Sequence, residues 1–379
     1  MDKSVRSWVE VSRSALRHNA KTLKSCLAPG TSFMPVVKSN AYGHGIRETV
    51  RSVGALADWF GVDSLPEAEK VRAAGSRKPV LVMGYTRTAA LGRLVRAGFR
   101  QVVYSRESVE ELSRKASVRR PAKVHVKVET GTSRQGLPAD ELPAFLRYAA
   151  KLPNLQVEGL LTHYANIEDT NNLRYAEGQL KRFREALRAA AAAGAEPKLM
   201  HASCSAAVLT YPDTHFNLAR AGCSLYGYWP SEVTRRTALE GGRRLELMPA
   251  LTWKAVVAQV KRIPKGAPVS YGLTERVMRD TRVAVVTVGY WDGFDRKQSS
   301  VGNVLIRGRR AKVLGRVCMN MCLVDVTDIR GVRAEDEVVL LGKQGRERIS
   351  VEEFADRIGT INYEVVTRIN PLAPRALVP

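Results

Sequence analysis

No apolar run in this 379-residue chain is long enough to cross a bilayer. Its five cysteines, Cys26, Cys204, Cys223, Cys318 and Cys322, form no Cys-x-x-Cys pair. An odd number at such spacings argues against a disulfide framework or a zinc site and points to a reducing cytoplasm. Nor does the start read as a secretory signal, because Met1-Asp2-Lys3-Ser4-Val5-Arg6 runs directly into strand-like Ser7–Val11. Aromatic residues are sparse at 7%, and acidic residues are outnumbered by 37 to 60, for a formal net charge of +23. Such basicity raises nucleic-acid binding as a reading. The cations, however, are spread along helical stretches such as 174–188, with no long run of like charge and no recognisable nucleic-acid module. Neither a nucleic-acid nor a membrane partner is expected; the charge favours small anionic substrates.

A doubly wound nucleotide-binding sheet is also set aside, since no Gly-x-Gly-x-x-Gly follows the first candidate strand. What is present is alternation. Strand-like runs at 33–37, 59–62, 79–83, 101–104, 123–128, 157–161, 197–200 and 216–219 are mostly separated by amphipathic segments at 46–53, 65–73, 89–97, 108–115, 141–152 and 179–193. With 13–25, this makes an eightfold rhythm over about 200 residues, the length of a (β/α)8 TIM-type barrel. After about Glu240 the texture becomes strand-like at 251–263, 283–288, 303–306, 311–314, 321–326 and 337–341, with one late helix near 351–358. The expectation is a barrel over 1–240 and a smaller mostly-β domain over 241–379, joined by a charged linker at 231–244. The strand at Ser7–Val11 precedes the barrel rhythm and is a candidate to join the β domain.

Lys38 ends the apolar run Phe33–Val37 and opens Lys38-Ser39-Asn40-Ala41-Tyr42-Gly43-His44-Gly45. At the lip of a buried strand an amine is poorly solvated, and desolvation favours the neutral form that condenses with an aldehyde. Active sites of such barrels sit at the C-terminal strand ends. There the first strand delivers Lys38 and Tyr42, and the fifth delivers Lys127, Glu129 and Arg134. The sixth delivers His163, the seventh His201 and Ser205, and the eighth Arg220, followed by Ala221-Gly222. This set matches the needs of pyridoxal 5'-phosphate. Lys38 would attach it, and His163 would stack on the ring. Ser205 with the N–H groups of Gly222 and Cys223 would bind the phosphate. Arg220 would face the pyridine nitrogen; a guanidinium cannot give up its proton, so the ring stays a weak electron sink, suited to returning a proton. No metal is called for.

These residues, together with Val269-Ser270-Tyr271-Gly272, Gly289-Tyr290-Trp291-Asp292-Gly293, Gly315-Arg316-Val317-Cys318-Met319 and Gly359-Thr360-Ile361-Asn362-Tyr363-Glu364, resemble the bacterial alanine racemases. The match runs from Trp8 to Arg375. The resemblance implies a pyridoxal-phosphate-dependent isomerase, a head-to-tail homodimer of barrel-plus-β subunits, interconverting L- and D-alanine for D-alanine biosynthesis and peptidoglycan. It implies two bases, with Lys38 serving the D-enantiomer and Tyr271, from the partner's β domain, the L-enantiomer. Tyrosine's ordinary pKa of about 10 calls for a nearby cation, and His163 and Arg220 are candidates. By the same resemblance Tyr42 and Tyr363 bind the phosphate. Arg134 contacts the cofactor's phenolic oxygen and the substrate carboxylate. His201 buttresses Arg220, and Met319 and Tyr290 line the opposite subunit's substrate pocket and entrance. Lys127 matches a lysine carbamylated in some relatives; the alternative is an ordinary lysine paired with a carboxylate such as Glu129.

Several positions depart from the family pattern. Glu129 stands where Asp is common, Thr132-Ser133 replace Met-Gly, Cys204 replaces Asn, and Asn320 replaces Asp. Thr132 and Asn320 border the substrate region, which keeps open a serine or broad-specificity racemase. A non-catalytic pyridoxal-phosphate protein would leave the β domain and Tyr271 without a use, and the motifs expected of a related decarboxylase are missing.

Overall fold

The structure, a computed structural model, describes residues 4–242 and 244–379. Met1–Lys3 of the opening segment and Arg243 of the expected linker lie outside the described residues. The chain forms two compact units. One holds Ser14–Ala41 and Thr49–Pro249; the other holds the chain up to Arg13, Tyr42–Glu48 and Ala250–Pro379.

After β1 (Ser7–Ser12) and α1 (Arg13–Ser25), the barrel strands follow in chain order. They are β2 (Ser32–Pro35), β3 (Phe60–Val62), β4 (Val80–Val82), β5 (Arg100–Val103), β6 (Ala122–Glu129), β7 (Leu155–Leu161), β8 (Leu199–His201) and β9 (Leu218–Ala221). Strands β3 to β8 pair in parallel in that order, β9 pairs in parallel with β2, and a Val36–Gly61 bridge joins β2 to β3. Between β8 and β9 a side chain stands in for the ladder: Asn217 accepts from the Met200 N–H (2.7 Å) and donates to the Lys198 carbonyl (2.7 Å). Helices α2 (Ile46–Val53), α3 (Leu65–Ala73), α4 (Thr88–Arg96), α5 (Arg106–Lys115), α6 (Leu142–Ala149), α7 (Arg174–Ala192), α8 (Ser205–Thr210) and α9 (Glu232–Leu239) complete the alternation. Met34, Trp59, Leu81, Val102, Leu161 and Leu218, drawn from six strand segments, pack as one buried cluster, so the barrel is filled rather than hollow.

The charged 231–244 stretch departs from the expected linker. Its first half is α9, whose cap Ser231 accepts from the Thr234 N–H (2.9 Å) while Thr234 and Ala238 are buried. A serine cap ahead of a buried one-turn repeat outweighed the high charge.

In the second unit β10 (Leu251–Ile263), β11 (Thr281–Val286), β12 (Asn303–Ile306), β13 (Arg309–Leu314), β14 (Cys322–Asp325) and β15 (Glu337–Gln344) are all antiparallel. Their pairing runs β10–β11–β14–β13–β12–β15 and returns to β10, so the ring closes and removes the open edges of the sheet. β16 (Glu347–Ile349) extends β15, and α10 (Val351–Ile358) and α11 (Asn362–Thr367) follow. The final strand β17 (Arg375–Val378) pairs with β1, which pairs in turn with β10, so the first strand of the chain belongs to this β unit. Trp253, Phe294 and Phe354 meet edge to face at its core, with centroids 6.3 and 5.6 Å apart. The architecture is thus a (β/α)8 barrel and a smaller mostly-β unit. Among the described residues no helix is long and apolar enough to cross a membrane.

Candidate active site

Lys38 follows β2 at the barrel rim. The preceding residues are held on both sides: the Val36 N–H donates to the Ala221 carbonyl and the Val37 N–H to the Gly61 carbonyl, each at 2.8 Å. The chain then makes a left-handed turn, with φ of 54°, 52°, 55° and 51° at Ser39, Asn40, Ala41 and Tyr42. Each L-residue there costs ~1–2 kcal/mol, a strain that concentrates at functional sites. Its outlet is Gly43, at φ 82°, where a Cβ would stand 2.0 Å from the Val366 carbonyl oxygen.

Strand β6 supplies alternating polar residues, Lys123, His125, Lys127 and Glu129, against Val124, Val126 and Val128. Lys127 is buried. Its pKa is lowered to about 8 by desolvation first and then by Arg134 and Arg220, with Lys38 adding to the effect. Among the described residues no carboxylate stands at ion-pair distance from it. Glu129 is instead engaged with the loop that follows it. Its Oε1 accepts from the N–H groups of Gly131 (2.5 Å) and Thr132 (2.6 Å), and these bonds with those of Ser133 and Arg134 outweigh its burial and hold its carboxyl below the ordinary range. The Lys127–Glu129 pairing left open above is therefore not made. Within that loop Arg134 is exposed, and the Thr132 hydroxyl donates to the His163 carbonyl (2.5 Å), which also accepts from Gln179 (3.1 Å).

His163 sits just beyond β7, and burial followed by Arg220, Arg134, Lys127 and Lys38 lowers its pKa to about 3. A shift in that direction favours the neutral imidazole.

Arg220, on β9, is 4% exposed. Its Nη1 donates to His201 Nδ1 (2.5 Å) and to the His201 carbonyl (3.0 Å). Its Nη2 donates to the carbonyls of Thr162 and Ala202, both at 2.9 Å. A guanidinium has five N–H groups; four are spent here, leaving Nε–H for a ligand. No acid is among these partners, and burial lowers the guanidinium's pKa to about 10.

Ser205 opens α8, and its Oγ accepts from the N–H groups of Gly222 (3.0 Å) and Ser224 (3.4 Å). Two backbone donors and a hydroxyl converge on one buried point, an arrangement that suits an anion. Cys223, between Gly222 and Ser224 in sequence, is buried beside them. An amine at the rim, one free guanidinium N–H and this cradle together fit pyridoxal phosphate.

The remaining expected residues belong to the β unit. Tyr42 and Tyr363 lie together with ring centroids 6.1 Å apart. Tyr271 is 72% exposed, and Tyr290 and Met319 are exposed as well. Their loops are tied to one another: Ser270 Oγ donates to the Arg316 carbonyl (2.5 Å), and the N–H groups of Tyr290 and Trp291 donate to the carbonyls of Cys318 and Met319, each at 3.0 Å.

Residues 11–230 match the family model for the alanine racemase N-terminal domain, and 250–377 match that for the alanine racemase C-terminal domain. The chain belongs to the alanine racemase family. Similar relatives include the alanine racemase of Syntrophobacter fumaroxidans, 41% identical over 96% of this chain and 95% of that one. That of Desulfovibrio desulfuricans is 39% identical over 98% of both. Among solved structures, the alanine racemase from D-cycloserine-producing Streptomyces lavendulae is 32% identical, with a TM-score of 0.91 over 99% of this chain and 97% of that one.

Sequence reasoning missed three residues around the family's site. His125 and Glu158 continue the contacts of His201, with His125 Nδ1 2.8 Å from His201 Nε2. Glu275, just past the Tyr271 turn, accepts from Ser300 Oγ (2.5 Å), the Gly315 N–H (2.6 Å) and Lys312 (3.0 Å), which anchors that turn. The parity of β6 carried a usable signal, because His125 shares a face with Lys127.

Proposed function

We propose that the enzyme interconverts L- and D-alanine at a site built from the barrel rim of one subunit and Tyr271 of its partner. The observation that carries this reading is the single free N–H of Arg220, in a barrel whose rim also bears Lys38 and the Ser205 cradle. Pyridoxal phosphate, when bound, acidifies the substrate's Cα–H while Arg220 keeps its ring nitrogen unprotonated. Lys38 would hold it covalently at rest, with His163 stacked on its ring. Ser205, Gly222 and Cys223 with Tyr42 and Tyr363 would hold its phosphate, and Arg134 its phenolic oxygen and the substrate carboxylate.

Lys38 Nζ moves the proton at one face of Cα and Tyr271 Oη at the other, which is what inversion requires. His201 buttresses Arg220. Met319 and Tyr290 of the partner line the pocket and its entrance. On this reading residues 1–240 bind the cofactor, joined at the phosphate by Tyr363, and the rest of 241–379 completes the other subunit's site. A head-to-tail homodimer is supported by the exposed apolar side chains of the β unit, Leu273, Met278, Trp291, Met319 and Ile361, which need cover. Alanine is the substrate this reading favours, in line with the family; the Thr132 hydroxyl donates to the His163 carbonyl and so offers a substrate hydroxyl an acceptor but no donor. Lys127 would carry a carbamate, a reading supported by its depressed amine among cations. Cytoplasmic action supplying D-alanine for peptidoglycan fits the cysteine pattern.

Purified protein with pyridoxal phosphate should convert L- to D-alanine on chiral chromatography, with serine far slower and Lys38→Ala inactive. Cofactor binding without conversion of either amino acid would overturn the assignment.

A further inference from the structure

Four groups run in line from Arg220 through the barrel interior. Arg220 Nη1 is 2.5 Å from His201 Nδ1, His201 Nε2 is 2.8 Å from His125 Nδ1, and His125 Nε2 faces Glu158 Oε2 at 3.5 Å. That last separation is ion-pair distance, longer than a hydrogen bond. Both imidazoles are 0% exposed.

The protons in this line have one consistent arrangement. A guanidinium only donates, so His201 Nδ1 accepts and its proton lies on Nε2. That N–H donates to His125, whose Nδ1 must accept and whose proton then lies on Nε2, aimed at the carboxylate. Burial above all favours the neutral form of both rings; Arg220 adds to the effect, and at His125 Glu158 opposes it without reversing it. Each ring therefore turns its lone pair toward the cation and its N–H toward the anion. Because Arg220 cannot release its proton, the array holds polarity and does not conduct.

Two backbone features accommodate the array. Register slips between β6 and β7: Val124 pairs with Val157 but His125 with Gly159, which leaves Glu158 as the bulged residue. Bulges re-aim side chains, and this one turns the carboxylate to His125. A Cβ at Gly159 would lie 2.7 Å from His125 Nδ1, so the glycine makes room for the ring. Arg100 fixes the far end with a forked pair to Glu158 at 2.9 and 3.2 Å.

We infer that His125 and Glu158 are positioning residues for cofactor recognition: they lock the His201 ring as a neutral acceptor for one Nη1 hydrogen of Arg220, which with the carbonyls of His201, Thr162 and Ala202 fixes the guanidinium and leaves Nε–H for the ring nitrogen. This rests on the pyridoxal-phosphate reading above, but its first test does not need the cofactor.

Long-range proton–nitrogen spectra of the full-length protein labelled with [15N]histidine, recorded before and after adding pyridoxal phosphate, read the tautomers directly. His201 and His125 should both be neutral with the proton on Nε2, and should not titrate between about pH 5 and 8. A proton on His201 Nδ1, or a cationic ring at either position, overturns the inference. The correct tautomers without any cofactor binding would uphold the array and sink the proposed function instead.

Two variants separate positioning from packing. In His125→Asn, Oδ1 replaces Nδ1 as acceptor; it should keep the His201 pattern and bind the cofactor within about threefold of wild type. His125→Phe fills the space but leaves the His201 N–H unpaired; it should disturb that pattern and weaken binding about tenfold or more. A packing role gives the opposite order and would overturn the inference. Glu158→Gln should shift the His125 Nε2 resonance, and an unmoved resonance would remove Glu158 from the array.

Discussion

Lys127 is buried with no acid at ion-pair distance among the described residues, and its amine is lowered from the ordinary 10.5 to about 8, chiefly by burial and then by Arg134 and Arg220. Between those two values the unfolded chain binds more protons than the folded chain. Stability is therefore greatest above the ordinary value and falls as pH drops toward about 8, with the whole penalty present at neutrality. At ~1.36 kcal/mol per unit, the difference between the two values amounts to about 3 kcal/mol. Lys127→Met keeps much of the stem and removes the charge. In CO2-free buffer at neutral pH it should raise the unfolding free energy by about 2–3 kcal/mol, and the gain should vanish toward about pH 10.5. The same shift leaves about one amine in ten neutral at pH 7, against about one in three thousand for an ordinary lysine, and only the neutral amine adds CO2. A carbamate would reverse the charge beside Arg134, Arg220 and Lys38. Labelled bicarbonate should therefore give a carbamate carbonyl resonance that is absent from Lys127→Met, and should raise the denaturation midpoint of wild type alone. A Lys127→Met protein less stable than wild type in CO2-free buffer, with no labelled carbonyl in wild type, would refute the reasoning.

Mixing inactive Lys38→Ala and Tyr271→Phe subunits should restore about a quarter of wild-type activity, since half the dimers are hybrids and each hybrid regains one of two sites; a site completed within one chain recovers none. Gly43→Ala places a Cβ against the Val366 carbonyl at a positive φ, so it should lose more than ~1 kcal/mol in urea denaturation. Arg220→Lys offers three donors to a site that uses five, so the cofactor Kd by equilibrium dialysis should rise about tenfold or more. Glu275→Gln drops the ion pair with Lys312 and weakens the anchor of the Tyr271 turn. It should lower kcat for L-alanine while leaving the cofactor Kd unchanged; an unchanged kcat would remove Glu275 from that role.

Much of the fold was legible because its signals are local. Apolar runs alternating with amphipathic segments are set by neighbours a few residues apart, and α1, α2, α3 and β10 occupy the stretches expected of them. Lys38 was legible for the same reason, as one polar residue ending an apolar strand. The charged 231–244 stretch misled, because composition speaks for solvent while α9 is decided by a cap and two buried residues. The closed ring of the β unit was not legible, since it depends on β10 meeting both β11 and β15. Nor was the engagement of Thr132 with His163, which are 31 residues apart.

The sequence alone determined the eightfold rhythm, the change to β structure after it, and the polar residues at strand ends, because each follows from the period of side chains along one element. Only the tertiary structure decided the protonation of the site. That Lys127 sits among cations, that the neutral form of His163 is favoured, and that His201 presents a lone pair to Arg220 all depend on burial and on partners from other strands. Electrostatic energy scales with distance and dielectric, and a chain acquires both only when it folds.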